Sequence, residues 1–188
     1  MKHLFLILFL ILFVMSIQTK AFAQVEFVIP MTEGWNMISS PVVPEVRETR
    51  EIFGDLVGSG NLIIVKDAEG RFSVGGLQFW MLGDWVQNFG YQVKLERDDV
   101  LTMIGEPVDP ETPIDLRQNW SMIAYFPEER VDAITALSNI EELLIIAKDG
   151  FGHFYNTEFN FSNMGELRQG RGYLVKVREA TELVWNVE

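Results

Sequence analysis

The chain is 188 residues long, with 27 acidic against 15 basic side chains, a formal net charge of −12 and no cysteine. So acidic a body repels phosphate backbones, which speaks against nucleic acid as a partner. Without disulfides the fold must rest on packing, and an apolar content of 48% supplies the core for it.

The first predicted element is an export signal. Met1-Lys2-His3 leads into an unbroken apolar run from Leu4 to Met15, and Ala21-Phe22-Ala23 follows after a polar stretch. This small-x-small ending is what a signal peptidase reads, and it predicts cleavage before Gln24. A membrane anchor is the alternative, but a spanning helix needs about 20 apolar residues and this run is shorter. No later stretch is long enough to span a bilayer. The mature chain, Gln24 to Glu188, is expected in the periplasm, on the cell surface or outside the cell.

Beyond the signal peptide (1–23) the chain reads as a repeat unit over 24–105, a proline-rich acidic connector over 106–113 and a second repeat unit over 114–188. Ile29-Pro-Met31-Thr-Glu-Gly-Trp35-Asn-Met37-Ile38 lies over Ile114-Asp-Leu116-Arg-Gln-Asn-Trp120-Ser-Met122-Ile123 at an offset of 85 residues. The offset then settles to 82, the distance from Lys66 to Lys148, from Gly70 to Gly152, from Tyr91 to Tyr173 and from Lys94 to Lys176. A constant register over most of a unit is the signature of an internal repeat.

Within each unit, Ile29–Met31 reads as a strand with Trp35–Ser39 as its hairpin partner, across a turn supplied by Glu33-Gly34 or, in the second unit, Gln118-Asn119. After Pro44 and Pro127, apolar residues fall at helical spacing: Val46, Phe53 and Leu56 in the first unit; Val131, Ile134, Leu137 and Ile140 in the second. Leu62–Lys66 reads as a buried strand, turned at Asp67-Ala68-Glu69-Gly70 into Phe72–Val74. A short helical or irregular piece (Trp80–Gln87, Ser162–Gln169) precedes a strand at Tyr91–Leu95 or Tyr173–Val177 and a last strand. The expected class is α+β: two tandem copies of a mostly antiparallel β-β-α-β-β-(short α)-β-β unit, packed as a pseudo-twofold pair.

Three stretches carry a resemblance. Gly34-Trp35-Asn36-Met37-Ile38-Ser39, Lys66-Asp67-Ala68-Glu69-Gly70 and Gly170-Arg171-Gly172-Tyr173-Leu174-Val175 together resemble a tandem repeat module of bacterial secreted and cell-surface proteins. The second unit departs from it at Asn119-Trp120-Ser121, and Asn88 replaces the first glycine of the late motif in the first. The resemblance covers both halves and implies an extracellular structural or binding role, with no catalytic residues and no cofactor.

The candidate functional residues are few. His153 has Arg71 as its counterpart and reads as an exposed strand residue rather than a base or ligand. The acidic clusters Asp98-Asp99, Asp109-Glu111 and Glu141-Glu142 lack the calcium-loop spacing. Gly170-Arg171-Gly172 opens a strand, so it lacks the helix dipole of a phosphate site. Trp35 and Trp120 recur and are expected to anchor the core, together with Gly70, Gly152, Tyr91 and Tyr173. Trp80, Trp85 and Trp185 occur in one copy only; the shared fold does not demand them, which marks them as candidates for stacking on a sugar or anchoring an interface.

The reading is of an exported, non-enzymatic module without metal or cofactor, acting in surface adhesion or envelope assembly with other envelope or extracellular proteins. Carbohydrate binding through Trp80 and Trp85 is one alternative. Self-assembly into a fibre, with Val25–Val28 adding to an exposed sheet edge, is another. A hydrolase would need two carboxylates facing each other in a cleft between the units.

Overall fold

The computed structural model describes residues 23–77 and 79–187. The apolar run and most of the expected cleavage motif, Met1 to Phe22, lie outside these residues. In the first half, strands β1 (Val25–Met31), β2 (Gly34–Ile38) and β3 (Val42–Pro44) precede two short helices, α1 (Thr49–Ile52) and α2 (Gly54–Gly58). Then come β4 (Leu62–Lys66), β5 (Phe72–Val74), β6 (Phe79–Trp80), β7 (Tyr91–Leu95) and β8 (Asp99–Pro107). The second half runs β9 (Ile114–Leu116), β10 (Asn119–Ala124), β11 (Val131–Asp132), α3 (Ala133–Ala136) and a 3-10 turn at Ser138–Ile140. It closes with β12 (Leu144–Lys148), β13 (Phe154–Asn156), β14 (Phe161–Ser162), β15 (Glu166–Leu167), β16 (Gly172–Val177) and β17 (Thr181–Leu183).

Every strand pairing is antiparallel. Two five-stranded sheets dominate, ordered β2-β7-β4-β5-β6 and β10-β16-β12-β13-β14. Each has its register shift at the same place, Leu62/Ile64 in one and Leu144/Ile146 in the other. Among the described residues strand makes up 46% and helix 10%, so the architecture is mostly antiparallel β with few helices.

Two local expectations are corrected. β1 does not pair with β2: it lies along β8, from Val25 opposite Gly105 to Met31 opposite Asp99, while β2 pairs with β7. β9 and β10 behave alike, the first pairing with β17 and the second with β16. Gly34 at φ 85° and Asn119 at φ 76° allow a corner as readily as a hairpin, and pairing with β8 or β17 takes the chain into a different sheet. Val25–Val28, expected as a donor to another molecule, therefore pairs within the chain. The second correction concerns the helices. Pro44 sits in β3 rather than in a first helical turn, and Val131 opens β11. Strand pairing at Pro44–Gly105 and Val131–Leu167 competes for these residues and leaves helices of four or five.

The hairpin turn between β4 and β5 forms as its residues dictate. Asp67 accepts the amides of Glu69 and Arg71, both at 2.9 Å, and Gly70 turns at φ 81°. Asp149 does the same for Phe151 and His153, with Gly152 at φ 92°. The second carboxylate oxygen holds Arg71 Nε at 2.5 Å in the first turn and His153 Nδ1 at 2.7 Å in the second.

The buried side chains form two separate clusters, one from Ile29 to Met103 and one from Ile114 to Trp185. All four tyrosines of the chain are buried, at 3% exposure or less. Tyr91 and Tyr173 accept the Val86 and Arg168 amides at 2.8 and 3.0 Å. Burial pushes all four phenols up, Tyr91 to about 12 from an ordinary 10.0. The folded state thus holds protons that the unfolded chain releases, so this stabilisation is complete below pH 10 and is lost as pH rises towards 12. Absorbance at 295 nm during alkaline titration is expected to show no normally titrating phenol. The signal should rise together with the loss of far-ultraviolet circular dichroism, and a separate early tyrosine step would contradict this burial.

The two halves meet through reciprocal bonds. The Ser39 amide donates to Gly170 O at 3.2 Å, and the Ala124 amide donates to Asn88 O at 3.1 Å. Isolated bridges join Ile38 to Arg171 and Ile123 to Phe89 in the same crossed fashion. Between them Gly90 and Gly172 lie back to back: a Cβ on either would come within 3.3 Å of the other's Cα.

Candidate functional site

Because side chains alternate across a strand, registered partners share a face of the sheet. On the first five-stranded sheet this sets Trp35, Lys94, Ile64, Val74 and Phe79 in one row, with Met37, Gln92, Lys66 and Phe72 in the next. On the second sheet the rows are Trp120, Lys176, Ile146, Asn156 and Phe161, then Met122, Leu174, Lys148 and Phe154. Apart from Met122, which is buried against Gly90 at the junction, these rows point away from the core, whose residues Val65, Val93, Ala147 and Val175 occupy the opposite parity.

Each face carries an exposed indole beside two ammonium groups. Trp35 is 47% exposed, with Lys66 Nζ 5.1 Å and Lys94 Nζ 5.8 Å from its ring centre. Trp120 is 43% exposed, with Lys148 and Lys176 at 5.3 and 5.8 Å. At this range a cation–π contact contributes about 0.5–1 kcal/mol where water has access, which orders the ring without burying it. The far side of each face ends in a phenylalanine pair: Phe72 and Phe79 with centroids 5.5 Å apart, Phe154 and Phe161 at 5.4 Å.

Every lysine after Lys20 is in this arrangement: Lys66, Lys94, Lys148 and Lys176. None forms an ion pair among the described residues. In an otherwise acidic protein, the two faces gather cationic and aromatic groups that remain open to solvent.

The tryptophans thus reverse the sequence expectation. Trp35 and Trp120, expected in the core, are the exposed ones. Trp85 and Trp185, candidates for an exposed platform, are each only 4% exposed. Trp85 stacks on Tyr91 at 4.1 Å, and Trp185 meets Tyr125 edge-on while donating to Ala124 O at 3.2 Å. Trp80 is half-buried, its Nε1 donating to Thr49 Oγ1 at 3.0 Å. The structure does not bring Trp80, Trp85 and Trp185 together: Trp185 belongs to the second core cluster, the other two to the first. The signal that finds the true faces is the joint recurrence of the lysines, at an offset of 82, and of the tryptophan, at 85.

The acidic clusters are largely engaged in local bonding. Asp98 accepts the Glu33 amide at 2.7 Å, and Asp99 accepts Asn61 Nδ2 at 2.8 Å. The Val100 amide, then Asn61, holds the Asp99 carboxyl below its ordinary value. A pocket of about 430 Å³ between the halves is lined by Glu26, Glu128 and Glu129. All three are exposed. Among the described residues no group of three His, Asp or Glu is placed to hold a metal ion. No helix among them is long and apolar enough to cross a membrane.

Fold and faces together define a mostly antiparallel β protein that presents two outward tryptophan–lysine surfaces. No protein-family model, curated protein or solved structure matches the chain.

Proposed function

We propose that the chain is an exported, non-enzymatic binding module, built of two tandem α+β-type copies, that attaches to an acidic glycan in surface adhesion or envelope assembly. The observation that carries this reading is the confinement of every lysine after Lys20 to two faces, each pair flanking an exposed tryptophan. An indole offers a flat apolar surface to the C–H face of a sugar ring. The two ammonium groups beside it suit a carboxylate on that sugar, and the net charge of −12 disfavours anions elsewhere. Matching strand orders, matching bulges and crossed junction bonds support the duplication. Two copies of one site on one body give avidity for a repeating polymer that no single site has.

The test is a titration of the mature chain, Gln24 to Glu188, with polygalacturonate and with neutral dextran, followed by tryptophan fluorescence. Polygalacturonate is expected to shift the emission saturably and to bind more weakly as salt rises, with dextran silent. Trp35→Ala with Trp120→Ala should lower the affinity at least about 100-fold, the loss of two coupled sites. Equal response to both polymers, or a double variant that binds as before, would turn the assignment away from these faces.

A further inference from the structure

A second concavity lies beside the junction, with two arginines in its wall that the first half does not repeat. It is a pocket of about 290 Å³ whose wall includes Arg168, Arg171 and His153. Arg171 and His153 are held through their side chains, Arg168 through its backbone. The Arg171 backbone carbonyl accepts Ser39 Oγ at 2.6 Å, and its guanidinium lies 4.2 Å over the ring of Phe151. The Arg168 amide is fixed on Tyr173 OH. His153 is oriented by Asp149, whose Oδ2 lies 2.7 Å from Nδ1.

The two arginines differ from His153, which pairs with Asp149 at 2.7 Å. Neither arginine forms an ion pair among the described residues, although Asp149 and Glu166 line the same pocket. The Asp149 oxygens are already engaged by His153 and by the amides of Phe151 and His153. Burial, and then repulsion from Arg168 and from nearby Arg130, pushes the Arg171 guanidinium below its ordinary value. A partly buried cation with no partner costs free energy that a bound anion restores.

The first half shows that the fold does not require this charge. At the positions 82 residues earlier, Arg168 and Arg171 are Val86 and Phe89, and His153 is Arg71. There Arg71 closes on Asp67 at 2.5 Å and on Glu69 at 3.6 Å, neutralising itself.

We infer that the pocket binds a compact oxyanion, a carboxylate or phosphate group, gripped between the Arg168 and Arg171 guanidiniums. The planar guanidinium fork matches both groups with paired N–H donors. The Phe151 ring covers one face of Arg171 and keeps its fork in place. The site is separate from the tryptophan–lysine faces and does not depend on what they bind.

The test follows the arginine side-chain N–H signals of the mature chain by NMR, titrated at low salt with inorganic phosphate and with monomeric galacturonate up to about 10 mM, the range of weak small-ion binding. Saturable shifts at Arg168 and Arg171 are expected with at least one of them. A response to galacturonate alone assigns the site to an acid group carried on a sugar; a response to phosphate alone assigns it to phosphate or a phosphoryl group. Arg171→Lys, which keeps the charge but loses the fork, should weaken binding about tenfold. Arg168→Val with Arg171→Phe, which installs the first half's own residues, should abolish it while the fold stays intact by circular dichroism. Trp35→Ala with Trp120→Ala should leave it within about twofold, as expected for independent sites. No saturable shift with either anion, or binding that survives the double arginine variant, would overturn the assignment.

Discussion

Trp185→Ala is expected to lower the free energy of unfolding by about 3–5 kcal/mol, the cost of emptying a core site of that size. The indole is 4% exposed, packs 4.9 Å from the Tyr125 ring and donates to the Ala124 carbonyl, which would lose its partner. Trp120→Ala removes the same side chain from a 43% exposed position, where its polar neighbours are two lysines. Its expected cost is about 1 kcal/mol, the scale of an exposed cation–π contact and partial burial. Urea denaturation with unchanged slope would measure both. Equal losses would contradict the division of labour between buried, unpaired tryptophans and exposed, recurring ones.

Gly172→Val is expected to cost about 3 kcal/mol, at the upper end for overpacking, because the obstruction is largely backbone. A Cβ there would stand 2.8 Å from Ile38 O and 3.2 Å from Gly90 Cα, and neither can swing aside. The crossed bonds between the halves, Ser39 to Gly170 and Ala124 to Asn88, would be strained together. Gly83→Ala makes the control: its Cβ meets nothing within 4 Å, and a change within about 1 kcal/mol is expected there. If Gly172→Val unfolds like the control, the glycine contact does not hold the halves in register.

The sequence made parts of this architecture legible and concealed others for identifiable reasons. The β4–β5 hairpin was readable because an Asp-x-x-Gly turn has one local solution, seen at Asp67–Gly70 and again at Asp149–Gly152. The partner of β1 was not readable. A two-residue break with Gly34 or Asn119 at positive φ suits a hairpin and a corner equally well, and only long-range pairing with β8 or β17 decides. Helix spacing around Phe53 and Leu137 was real but short, and strand pairing at its N-terminal end took Pro44 and Val131.

The site was half legible. Recurrence of Trp35 as Trp120 was visible, but recurrence alone does not tell burial from exposure. Alternation within Gly34–Ile38 places Trp35 and Ile38 on opposite faces, so only one of them can join the core, and Ile38 does, at 2% exposure. Knowing that β2, β7 and β4 are neighbours supplies the rest, because that order sets Lys94 and Lys66 beside Trp35.

The placement of the lysines has a practical side. After removal of the expected signal, Lys66, Lys94, Lys148 and Lys176 would be the only side-chain amines left, and all four flank the exposed indoles. Amine-reactive dyes, aldehyde fixatives and carbodiimide coupling to a sensor chip would therefore act on the two faces before anywhere else except the new N-terminus. A protein immobilised in this way would report no ligand for a reason unrelated to affinity. Attachment through a terminal tag, or a cysteine introduced far from both sheets, keeps the surfaces free.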